Sequence, residues 1–120
     1  MEFGELLKQL LVDLQALFRV QTKNLNLTLP QIILISSIPA DGIDMTSLAQ
    51  RIGVDNSTLT RLIDVLLKNG FVHKNKNPFD GRSVLVSLTS SGEKIQGIIE
   101  NEIDRFGSKL YRQIPMEDQE

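Results

Sequence analysis

The stretch LAQRIGVDNSTLTRLIDVLLKNGFVHKNKNPFDGRSVLVSL, residues 48–88, carries two helix patterns, each stopped by a glycine, and then two short strands around a turn. Its first helix begins upstream as MTSLAQRI, with Asp44 placed to cap it and Gly53 able to close it in the left-handed conformation. Asp55 or Asn56 caps the next helix, STLTRLIDVLLKN, which Gly70 ends. Two short helices joined by a turn of a few residues that contains glycine form a helix-turn-helix unit. FVHKNK and SVLVSL then read as strands, because Val84, Val86 and Leu88 alternate with Ser83, Leu85 and Ser87. NPFDG, residues 77–81, is the loop between them, rich in residues that favour tight reversal.

Working outward, residues 4–25 place Leu6, Leu7, Leu10, Leu11, Leu14, Leu17 and Phe18 at spacings of three and four, the stripe of an amphipathic helix. Thr28, Pro30 and Gln31 form a helix start, with Gln31 at capping-box distance from Thr28. That helix runs through IILISSI and stops before Pro39 and the turn ADG. On the far side, Thr89 or Ser90 caps a long helix, with Ser90 and Glu93 at capping-box spacing. Ile95, Ile98, Ile99, Ile103, Phe106, Leu110 and Ile114 run along one of its faces. Pro115 with Glu117, Asp118 and Glu120 reads as the acidic first turn of another helix. The expected fold is mainly α with a small β-hairpin: one domain over 1–120, a winged helix-turn-helix lobe at 28–88, and flanking helices at 1–25 and 90–120.

Composition narrows the chemistry. The 120 residues include no cysteine and one histidine, His73, so thiolate metal sites, a cysteine nucleophile and a multi-histidine metal site are excluded. The amino terminus begins with an acid rather than a basic leader, and no apolar run approaches about 18 residues; the expectation is a cytoplasmic protein without membrane association. No phosphate-cradling glycine loop or nucleophile–base pair is present, so neither an enzyme nor a cofactor is implied. The net charge of −2 hides a gradient. Residues 51–82 carry six basic and three acidic side chains, whereas both flanking segments are net acidic. Such asymmetry suggests a localised anion-binding face.

In the second helix of the pair, Leu59, Leu62, Ile63, Leu66 and Leu67 form an apolar stripe, with Ser57, Thr60, Arg61, Asp64 and Lys68 opposite. Short hydroxyls suit close approach to bases and phosphates, Arg61 can bond a guanine edge and Asn56 an adenine. Asn56, Ser57, Thr58, Thr60, Arg61 and Lys68 are therefore candidate contacts to double-stranded DNA, joined by Lys74, Lys76 and Arg82 from the hairpin. The plain alternatives stand beside these. Any surface helix has a polar face, hydroxyls gather at helix starts as caps, and Lys74 and Lys76 fit a solvated strand. Asp64 on the same face repels phosphates.

LAQRIGVDNSTLTRLIDVLLKNGFV followed by DGRSVLVSLTSSG resembles the MarR family, the multiple antibiotic resistance regulators. Gly70, Phe71, Val72, Asp80, Arg82, Leu88, Thr89 and Gly92 are the positions that carry the resemblance. It implies a homodimeric regulator, a repressor, on a pseudo-palindromic operator. Recognition helix 55–69 would enter the major groove and wing 72–88 the minor groove through Arg82, with Asp80 orienting the wing. A guanidinium suits the negative potential of a narrow A·T-rich minor groove. The resemblance further implies dimerisation through the flanking helices, continuation into another helix, and a small aromatic or lipophilic effector in a cleft. Leu14, Phe18 and Ile38 are candidates to line that cleft and read first as core. The competing function class is a winged helix used as a protein-interaction module without DNA binding.

Overall fold

The computed structural model describes residues 2–113. Helix α1 (Phe3–Leu25) ends where Asn26 turns left-handed at φ 55° and returns its N–H to the Thr22 carbonyl. Helix α2 (Leu29–Ser37) begins with the expected reciprocal box. The Gln31 N–H donates to Thr28 Oγ1 at 3.4 Å, and the Thr28 N–H donates to Gln31 Oε1 at 2.9 Å. After the turn at Pro39–Gly42 comes β1 (Ile43–Asp44), then α3 (Met45–Ile52) and α4 (Asn56–Lys68). The hairpin is β2 (Val72–Asn77) and β3 (Asp80–Leu88), and α5 (Ser90–Gln113) closes the described chain. Residues 114–120, with Ile114 and the expected acidic turn, lie outside the described residues.

Two features differ from the sequence reading, and a third decides between its two alternatives. First, β1 is an additional strand, so the sheet is three-stranded and antiparallel in the order β1-β3-β2. Ile43 faces Val86 and Asp44 faces Leu85. Two residues are too short to show alternation, and only the approach of β3 makes them a strand. Gly42 permits that approach: it sits at φ +87°, where a Cβ would press on the Val86 carbonyl oxygen at 3.0 Å. Second, the wing loop is shorter than NPFDG, because β2 runs to Asn77 and β3 starts at Asp80. Third, Thr89 rather than Ser90 caps α5. The Gly92 N–H donates to Thr89 Oγ1 at 3.0 Å and the Glu93 N–H to the Thr89 carbonyl at 2.8 Å. The Thr89 hydroxyl itself donates to the Gly70 carbonyl at 2.6 Å, tying the end of the wing to the end of α4.

The core gathers around α2, whose Ile32, Leu34 and Ile35 are fully buried. Surrounded by α1, α3, α4 and α5, this helix is apolar on most sides rather than striped. Leu48, Leu59, Ile63, Leu66, Val86 and Ile99 complete the centre, each contributing about 1.5–3 kcal/mol by leaving water. Gln96 of α5 donates through Nε2 to the Ile35 and Ile38 carbonyls at 2.9 and 2.8 Å. It adds a donor to carbonyls at the helix end, where the Ile35 carbonyl also accepts the Ile38 N–H at 3.4 Å. The result is an elongated molecule of 52 × 28 × 23 Å, with Leu11 68% and Val20 56% exposed along α1.

Candidate nucleic-acid interface

Helix α4 is presented by its caps. Asp55 accepts the Thr58 N–H at 2.7 Å, and Asp44 does the same for α3 through the Ser47 N–H at 2.8 Å and the Ser47 hydroxyl at 2.7 Å. Both carboxyls are held below the usual carboxylate range. For Asp55 the Thr58 N–H is the main cause, followed by the Thr58 hydroxyl and, after these, the positive charge of Arg61. For Asp44 the cause is Ser47, through its N–H and then its hydroxyl. Between the two helices, Gly53 at φ 74° makes the left-handed stop that the sequence expects.

With α4 fixed, its faces separate as the spacing predicts. Leu59, Ile63 and Leu66 are buried, while Asn56, Ser57, Thr60, Arg61, Asp64 and Lys68 are exposed and Thr58 is half-buried. The Thr60 hydroxyl donates back to the Asn56 carbonyl at 2.8 Å, leaving its oxygen to act as an acceptor only. Asp64 is not an isolated repulsive charge. Lys74 of β2 reaches it at 3.9 Å, so the wing strand and α4 meet through an exposed ion pair of small energy. Lys74 is thereby shared between Asp64 and solvent.

Lys76 is exposed on β2. Beyond it the ladder shifts: Lys76 faces Val84, but Asn77 faces Asp80, so Gly81, Arg82 and Ser83 bulge out of β3. Arg82 lies at the middle of that bulge, exposed, and its guanidinium has no ion pair among the described residues. Asp80 acts on the backbone instead, accepting the Arg82 N–H at 3.0 Å. Hence Asp80 fixes the chain beneath Arg82, as an Asx-turn does, rather than clamping its head.

Residues 27–84 match the family model described as MarR family. The winged helix-turn-helix of this chain is of the MarR family. The multiple antibiotic resistance protein MarR of Salmonella typhimurium is 35% identical over 91 residues, covering 75% of this chain and 61% of that protein. The crystal structure of reduced MarR from E. coli superposes with a TM-score of 0.77 at 27% identity, over 98% of this chain and 88% of that one. The S. aureus MepR–DNA complex shares the fold, with a TM-score of 0.69 at 16% identity over 88% of this chain and 87% of that one. The chain spans about half the length of the curated relatives it matches.

Within this MarR-family frame, several residues that shape the interface escaped the sequence reading. Asn77 accepts the Phe79 N–H at 3.0 Å and donates to Ser83 Oγ at 3.0 Å, and Ser83 Oγ donates to the Asp80 carbonyl at 3.3 Å. Asn and Ser near a turn are the only signal, and it does not say which residues they bond. Of the three residues weighed for an effector cleft, Ile38 is core. Leu14 and Phe18 line a shallow groove with Leu11, Gln15, Arg19, Thr22 and Leu29. No set of three His, Asp or Glu residues that could hold a metal occurs among the described residues. No helix among them is long and apolar enough to cross a membrane.

Proposed function

We propose that this chain is a sequence-specific DNA-binding transcription regulator that acts as a homodimer in the cytoplasm and is not an enzyme. The observation that carries the reading is the pairing of two exposed elements: the polar face of α4 and the free Arg82 guanidinium on its braced bulge. In this reading α4 enters the major groove of a pseudo-palindromic operator. Asn56, Ser57, Thr60 and Arg61 reach base edges or phosphates, and Thr58 and Lys68 flank them. Lys76, and Lys74 where it leaves Asp64, meet backbone phosphates, while Arg82 enters the minor groove.

The relatives support the regulator class by name, and the MepR–DNA complex supports use of this fold on duplex DNA. An α4 face built of hydroxyls and a guanidinium speaks against docking to an apolar protein surface. Residues 1–25 and 90–120, which include α1 and α5, are the proposed dimerisation region. The groove at Leu14 and Phe18 is the proposed place for a small aromatic or lipophilic effector.

Selection of bound fragments from a random duplex library at moderate salt tests the reading. Recovery of an inverted repeat is the expected result; enrichment of no sequence overturns it. Arg82→Ala should weaken binding to the recovered duplex about tenfold or more, as expected for loss of a contact of roughly 1–3 kcal/mol. Its melting temperature should not change, because the guanidinium supports nothing in the fold.

A further inference from the structure

The tip of the wing presents an aromatic ring to water. Phe79 is 97% exposed, more than any other large apolar side chain among the described residues. A single exposed apolar residue on a surface is ordinary; its setting here is not. Phe79 lies in the two-residue turn between Asn77 and Asp80, and the Gly81–Ser83 bulge that carries Arg82 follows Asp80. Four side-chain hydrogen bonds from Asn77, Asp80 and Ser83 hold this turn, and one of them fixes the Phe79 N–H itself. The ring is thus displayed on an ordered support, so little conformational freedom remains to be lost when it meets a partner.

We propose that Phe79 is an apolar wedge that enters the minor groove beside Arg82 and partly unstacks a flexible base step. The inference rests on the DNA-binding reading and extends it to a residue and a step preference. The chemistry favours DNA over a protein partner. The wing carries Lys74, Lys76 and Arg82 against Asp80 alone, and Arg82 and Phe79 leave the hairpin at the same end. Cations at the rim with an apolar ring at the tip is the arrangement by which minor-groove proteins insert side chains between base pairs. Pyrimidine–purine steps such as TA and CA unstack most readily. The wedge therefore selects such a step next to the A·T tract that suits Arg82.

The test uses the full chain and the inverted-repeat duplex recovered by selection. Phe79→Ala should bind it about tenfold more weakly, in keeping with the usual effect of removing a stacked aromatic. The slope of log affinity against log salt should stay unchanged, because no charge is removed. Arg82→Ala should lower that slope. Phe79→Trp should bind within about threefold of the parent and give quenched indole emission on the duplex, a clean signal because the chain has no tryptophan. With 2-aminopurine at the step flanking each half-site, fluorescence should rise with the parent protein and not with Phe79→Ala. If Phe79→Ala binds as the parent does while Arg82→Ala does not, the wedge is wrong and the DNA reading stands. If the parent protein binds no duplex, both fall. Loss of self-association in Phe79→Ala, with DNA affinity falling only in proportion, assigns the ring to a protein contact and overturns the proposal.

Discussion

A methyl group at position 92 would overlap the carbonyl oxygen of Phe71 and crowd a Leu88 methyl. The first turn of α5 lies directly against the chain that leaves α4. Thr89, bonded to the Gly70 carbonyl, sets that closeness, and Gly92 accommodates it. Gly92→Ala is therefore expected to cost about 3 kcal/mol, the scale of forced overpacking against an atom that cannot rotate away. Gly97, farther along α5 and on a different face, meets nothing within 4 Å. Gly97→Ala should stabilise by roughly 0.5–1 kcal/mol through helix propensity. Urea unfolding of the pair measures both, and equal midpoints would show that the packing at Gly92 has been misjudged. Gly92 was visible in the sequence as part of a family pattern. Its reason was not, because the colliding oxygen lies far back along the chain.

At the scale of elements, helix starts were the most legible feature. Thr28 with Gln31, Asp44 and Asp55 each act on a backbone N–H three residues on, so local sequence suffices to read them. The strand β1 and the Gly81–Ser83 bulge were not legible, since each depends on which residue of β3 lies opposite. The cap at Thr89 was open to two readings until the Gly70 carbonyl came into contact with it. The carboxylate caps of α3 and α4 also set an acid response. The folded-state carboxyls of Asp55 and Asp44 titrate below their ordinary value. Their charged form therefore stabilises the fold above the usual carboxylate range, near pH 4. That contribution fades as pH falls through the depressed folded value. Asp55→Asn keeps a capping oxygen but loses the charge and its attraction to Arg61. In melting curves taken from pH 7 down to pH 2, the variant should lie below the parent at neutral pH and converge with it in acid. A gap that widens on acidification would contradict the assignment.

Across the whole molecule, what is buried and what is not fits the proposed homodimer. The winged lobe encloses its own core around α2, yet α1 leaves Leu7, Leu11, Val12 and Val20 exposed, and α5 leaves Ile98 and Ile103 exposed. Between the two helices runs a groove lined by Leu17, Val20 and Phe106, with Asp13, Glu102, Arg105 and Lys109 at its rim. An apolar stripe edged by both signs of charge suits a self-complementary two-fold contact. Dimerisation also changes the DNA arithmetic. In the proposed dimer two linked lobes would engage two half-sites, and the second engagement would be intramolecular. Val20→Glu places a charge in that groove, at a side chain 56% exposed in the single chain. Sedimentation equilibrium should find the parent at twice its 13.5 kDa chain mass and the variant as a single chain with its helical content intact. The variant should lose most of its affinity for the inverted repeat, with about half the salt slope, because half the phosphate contacts form. The parent's melting temperature should rise with protein concentration, as mass action requires when folding and association are linked, and the variant's should not. A variant that stays dimeric and binds with the parent's salt slope would move the interface away from α1.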